Sequence, residues 1–220
     1  MIVIDLCSGL GGATRPFLDR GHKVFTVDNE IDFGPDLCAD VRHILPESLP
    51  ANPYFIWASP PCAGFSVAAI GRHWKNGQPD EIARSGMEIL GGCLRIIHAL
   101  KPKYWCIENP RGMMRRVLGP PTVTTFYAAW GTPYLKPTDL WGILPRMTWP
   151  EPLVWESAPR GSKQAVQRVI SKGAGCGKGG KDMRPSSSAL RAVVPYGLGL
   201  ALCEAIEKEL PFGFETNEAP

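Results

Sequence analysis

The chain is 220 residues long, 44% hydrophobic and 20% charged, with a formal net charge of +3. These figures suit one globular domain with enough length to bury a core, and the net charge is too small to name a partner. No run reaches the roughly 18 apolar residues of a membrane span, and MIVIDLCSGLGG lacks the basic flank and apolar core of a signal peptide, so a cytoplasmic location is expected.

Seven cysteines are scattered without a C-x-x-C pair, and the four histidines are isolated from one another. Neither a disulfide framework nor a metal site is expected.

MIVID at the start reads as a strand that breaks into the glycine-rich CSGLGG. ATRPFLDRGH can form a helix, with Pro16 confining its regular part. KVFTVD reads as a second strand and DLCADV as a short third. YFIWAS is a continuous apolar run, as in a strand buried on both faces. From Asp80 to Leu100, helical spacing runs through Ile82, Met87, Ile89, Leu90, Leu94 and Ile97, with Gly91 and Gly92 as its weak point. KYWCIEN is a further buried strand, and TVTTFYAAW has the β-branched and aromatic content of another. VPYGLGLALCEAIEKEL reads as a final helix, followed by a frayed PFGFETNEAP. Strands alternating with helices predict an α/β fold built on an open, mostly parallel sheet.

In such sheets ligands gather at the carboxyl ends of the strands. DLCSGLGG, VDNE, SPPC and ENP all fall there. Gly9, Gly11 and Gly12 allow a sharp turn and a close approach to a ligand. Asp28 stands where an acid can accept hydrogen bonds from ribose hydroxyls, with Glu30 a nearby rival. Nothing cradles a triphosphate, so an adenosine-containing cofactor is expected. Prolines 60 and 61 hold the backbone before Cys62 extended, a stiff mount for a presented thiol. Glu108 emerges from apolar YWCI, where a carboxyl can have its pKa raised and act as a proton donor.

Between Ser157 and Arg191 stand eight basic residues against one acid, Asp182. The stretch reads as a long mobile surface segment suited to a phosphate backbone. GCGKGGKD within it fails as a P-loop, because Asp182 replaces the required Ser or Thr and no strand precedes it.

DLCSGLGG, SPPC with FS, and ENP occur in the order and spacing of the cytosine-C5 DNA methyltransferase family. With IWASPPC, ENPRG, KPTDLW and a late APRGS, the chain most resembles the compact phage and prophage forms. The resemblance runs from residue 2 to about 208. It implies a Rossmann-like, class I S-adenosylmethionine-dependent sheet with a reduced target-recognition region. The implied organisation is a catalytic core over 1–142, a basic recognition segment over 143–192 and a returning helix over 193–210.

The resemblance assigns S-adenosylmethionine to the loop from Asp5 through Cys7, Gly9 and Gly11, to Asp28 or Glu30, to Asp40 and to Pro60. Cys62 would attack C6 of a flipped cytosine, and Glu108 would hydrogen-bond N3 and the exocyclic amine. The segment GFSVAAIGRHWKNGQ would close over the base, with Ser66, Arg72 and Lys75 meeting the DNA backbone. Arg111, Arg160 and Lys163 would add further contacts to double-stranded DNA. Two departures stand out. Lys136 and Thr138 occupy positions where the larger enzymes carry arginines, leaving Lys136 to supply the charge. The recognition region is short, so specificity would be brief, relaxed or supplied by a protein partner. An RNA cytosine-C5 methyltransferase and a silent nucleic-acid-binding subunit are the alternatives.

Overall fold

The computed structural model describes residues 1–150 and 192–210. The expected recognition segment, with Arg160 and Lys163, lies almost wholly outside the described residues, as does PFGFETNEAP.

In chain order the elements are β1 (Ile2–Leu6), α1 (Arg15–Asp19), β2 (Lys23–Asp28), β3 (Leu37–Cys38), β4 (Phe55–Ala58), β5 (Trp74–Lys75), β6 (Gln78–Pro79), α2 (Glu81–Leu100), β7 (Tyr104–Pro110), α3 (Met114–Leu118), β8 (Val123–Phe126), β9 (Pro137–Ile143) and α4 (Tyr196–Lys208). Seven strands form one sheet in the order β3-β2-β1-β4-β7-β9-β8. The first five run parallel, and β9 pairs antiparallel with both β7 and β8. The fold is therefore the α/β, open and mostly parallel sheet expected from the sequence.

Alternation along the strands divides the core in two. Ile4, Leu6, Ile56, Ala58 and Ile107 pack with Leu90, Cys93 and Ile96 of α2. Val3, Phe55, Trp57, Tyr104 and Cys106 pack on the other face with Phe17 of α1 and Leu198, Leu202 and Ile206 of α4. Burying each large side chain contributes about 1.5–3 kcal/mol. Chain order reverses between β1 and β4, and such a switch point opens a crevice at the carboxyl edge.

Two sequence expectations need correction, and a third stretch went unread. First, α2 is continuous across Gly91 and Gly92. A Cβ on Gly92 would lie 2.8 Å from the Val41 carbonyl oxygen, so the glycine marks a close crossing rather than a break. Asp80 caps this helix, accepting from Ala83 N at 3.1 Å, while Ile82 of the expected apolar stripe is exposed. Second, TVTTFYAAW is a strand only to Phe126, and Tyr127–Trp130 form a 3-10 turn that starts the return to β9. Third, PTDLWGI is a strand, although Pro137 and Asp139 hid it. Asp139 is fully buried and held by Arg115 through two contacts of 2.6 Å, with Thr124 also donating to it. Among the described residues no helix is long and apolar enough to cross a membrane.

Candidate active site

The carboxyl ends of β1, β2 and β4 surround a cavity of about 430 Å3, within the roughly 300–1,000 Å3 usual for small-molecule sites. Cys7, Gly9, Asp28, Glu30 and Asp40 line it, as expected. Trp57, Phe33 and Ile89 supply apolar wall, and Val193 and Val194, just before α4, close one side. Gly12 permits that closure, because a Cβ there would meet the Val194 carbonyl oxygen at 2.5 Å.

Asp28 and Glu30 differ in their surroundings. Asp28 accepts from Gly9 N at 2.8 Å through one oxygen and from Glu30 N at 3.0 Å through the other. Its carboxylate therefore staples the glycine loop to β2. Glu30 is exposed in the cavity wall, and no hydrogen bond to its carboxylate is recorded among the described residues. Asp40 is gripped by Arg42, whose Nη2 lies 2.6 Å away and which holds its carboxyl below the usual range.

Asp5, Gly11 and Pro60 do not line the cavity. Asp5 sits behind it, 1% exposed, with Oδ2 accepting from Thr14 at 2.6 Å. Its Oδ1 is buried without a partner among the described residues, and burial pushes its pKa up to about 7. The Pro60 carbonyl accepts from Asn109 Nδ2 at 2.8 Å, and Pro61 lines the cavity in its place. That bond ties the proline mount of Cys62 directly to the strand carrying Glu108.

Beside the cavity lie the groups suited to chemistry. Cys62, half-buried, follows β4, and Glu108, 4% exposed, stands in β7. They are close enough for the Glu108 charge to act on the Cys62 proton. Burial raises the Cys62 pKa, the Glu108 charge adds to the rise, and Lys136 opposes it. Burial also raises Glu108, against the Lys136 cation and the hydroxyls of Tyr127, Ser59 and Thr138. The arrangement thus brings the three expected catalytic residues together. Ser59 joins the two regions, since it lines the cavity and accepts from Trp57 Nε1 at 2.7 Å, and its hydroxyl helps lower the Glu108 pKa.

The segment after Cys62 is folded onto the core. Phe65 is fully buried, Met113 N donates to its carbonyl oxygen at 2.6 Å, and Ser66 bridges Gly112. A Cβ on Gly112 would lie 2.1 Å from the Phe65 oxygen, so only glycine admits this contact. Trp74 donates to Gly64 O at 2.6 Å, and His73 pairs with Asp80 at 2.8 Å. Arg72, Lys75 and Arg111 remain exposed. Sequence reading missed Tyr127 and Asn109. Tyr127 resembled any strand aromatic, whereas Asn109 lay in the quoted ENP without a separate role.

The sequence matches the family described as C-5 cytosine-specific DNA methylase over residues 1–126. This chain belongs to that family. It is 30% identical over 164 residues to the probable DNA (cytosine-5)-methyltransferase of Frog virus 3 (isolate Goorha), covering 66% of this chain and 74% of that protein. It is also similar to the crystal structure of a candidate DNA modification methyltransferase encoded within an E. coli prophage, with a TM-score of 0.47 and 21% identity. That match covers 65% of this chain and 46% of the solved one, so the chain spans less than half of that relative.

Proposed function

We propose that this chain methylates C5 of a cytosine flipped out of double-stranded DNA, through a transient bond between Cys62 and C6, using S-adenosylmethionine. The observation that carries this reading is the convergence of Cys62, Glu108 and Lys136 beside a cavity lined by the glycine loop and Glu30.

The cavity suits an adenosine-type cofactor. Glu30 would take the ribose hydroxyls, because its exposed carboxylate faces the cavity while Asp28 is occupied in holding the loop backbone. Asp40 and the apolar wall would hold the purine. S-adenosylmethionine bound there supplies an electrophilic methyl group.

The protein's own residues carry the remaining tasks. The Glu108 charge disfavours a Cys62 thiolate beside it, so a neutral Glu108 eases ionisation of the thiol. The productive arrangement is a Cys62 thiolate beside a protonated Glu108. The raised Glu108 pKa favours it, and the Lys136 cation helps hold the thiolate. Sulfur adds to C6 while the Glu108 proton meets N3, and the electron pair of the C5–C6 double bond becomes available at C5. After methylation, Glu108 takes back the N3 proton, water accepts the C5 proton, and expulsion of the thiolate restores the ring. Base flipping brings C6 within reach of a thiol held at a strand exit. Arg72, Lys75 and Arg111 would meet phosphates, as would Arg160 and Lys163, and a partner protein could supply sequence specificity. The cytoplasm would be the place of action.

Incubation with tritiated S-adenosylmethionine and separate DNA and RNA pools tests the proposal. Label should enter DNA and be lost in Cys62→Ala. Label in RNA alone would replace the substrate, and DNA binding without transfer would point to a silent subunit.

A further inference from the structure

Glu108 must present a cytosine with one donor, toward N3, and one acceptor, toward the amine. A neutral carboxyl can offer that pair in either order, and the opposite order suits the N3–H and O4 of uracil or thymine. Something must fix which oxygen carries the proton.

Tyr127 is placed to do so. It is fully buried in the turn after β8, and its hydroxyl donates to Glu108 Oε1 at 2.9 Å. The nearby Thr138 hydroxyl donates to the Lys136 carbonyl oxygen at 3.3 Å, while the phenol proton goes to Glu108. Lys136 Nζ stands 4.1 Å from the centre of the Tyr127 ring, holding the ring in place from the other side. The remaining groups around Glu108 are Ser59, Thr138 and Lys136 and the thiols of Cys62 and Cys106. Ser and Thr hydroxyls rotate freely about their C–O bonds, whereas a phenol hydrogen is confined near the ring plane.

We propose that Tyr127 is a positioning residue that selects cytosine over uracil and thymine, by keeping Glu108 Oε1 an acceptor and its proton on Oε2. Oε1 then has one lone pair left for the cytosine amine, and Oε2–H points to N3. A uracil would need Oε1 to donate to O4. A proton on Oε1 would either oppose the phenol hydrogen or be taken by the phenol oxygen, so it never reaches O4. This inference rests on the cytosine methyltransferase reading.

Tyr127→Phe keeps the ring, its packing and its contact with Lys136, and removes only the hydroxyl. Two readouts test it. In the first, carbon-13 NMR follows the Glu108 carboxyl through a pH titration of the free protein. The variant should titrate at higher pH, because a donor to the ionised form has gone. In the second, covalent trapping is compared on duplexes carrying 5-fluorocytosine or 5-fluorouracil at the methylated position. The wild type should favour cytosine, and the variant should narrow that preference by about tenfold or more. An unchanged titration or an unchanged preference overturns the role of Tyr127. Wild-type protein that forms neither adduct overturns the methyltransferase reading and this inference with it, while the titration still reports the Tyr127–Glu108 bond. Should Tyr127→Phe not fold, Glu108→Gln offers a second reading. Tyr127 would hold the glutamine oxygen on its own side and aim the NH2 at N3, so that variant should still bind cytosine duplexes over uracil ones. Loss of that order overturns the proposal.

Discussion

The two sides of the carboxyl edge handle negative charge in opposite ways. On the cavity side two lining acids are compensated: Asp28 by two backbone amides, Asp40 by Arg42. On the catalytic side Glu108 is buried among neutral hydroxyls, with only Lys136 nearby, and its pKa rises. Asp139 sharpens the contrast, since it sits on β9 opposite Asn109, one register position from Glu108, and is as buried. It carries a bidentate arginine instead. The lesson is that burial alone does not mark a reacting acid. A buried acid without a dedicated cation is the one left able to hold a proton.

Mutations can break this contrast, the largest effect coming from the reacting groups. Cys62→Ala and Glu108→Gln should each lower methyl transfer by more than about 10³-fold, read as label entering DNA. Glu108→Gln should leave stability unchanged or raise it, because a neutral amide replaces a costly buried acid. Asp139→Ala should do the reverse to stability, costing about 1–3 kcal/mol in denaturant unfolding, since it removes the charge-assisted bonds to half-solvated Arg115 and Thr124.

A smaller effect concerns Asp5. Its folded pKa of about 7 lies above the ordinary 3.8, so the folded state binds this proton more tightly than the unfolded chain does. Its contribution to cofactor-free stability is therefore greatest below about pH 4 and declines as pH rises through about 7. Asp5→Asn should flatten that decline when unfolding is measured across the range. The smallest effects belong to the exposed cations. Arg72→Ala and Lys75→Ala should each weaken DNA binding uniformly across sequences and reduce its salt slope by about 1.

The parallel half of the sheet was legible because IVID, KVFTVD, FIWA and YWCIEN are apolar runs that end in glycine, acid or proline. Cys62 and Glu108 could be read for the same reason: each directly follows such a run or ends it. The antiparallel strand PTDLWGI could not, because Asp139 resembles a surface acid until Arg115 is brought to it by α3. The choice between Asp28 and Glu30 needed backbone geometry, as both occupy the same strand exit. Tyr127 looked like one more strand aromatic, and only the turn at Tyr127–Trp130 aims its hydroxyl at Glu108. Contacts within one strand end show in sequence, whereas those made across the sheet do not.

The most direct test is peptide mapping of the adduct trapped on a 5-fluorocytosine duplex in the presence of S-adenosylmethionine. The account predicts that the cross-link lies on Cys62 and vanishes in Cys62→Ser. A cross-link on another residue, or none from protein that methylates DNA, would contradict it.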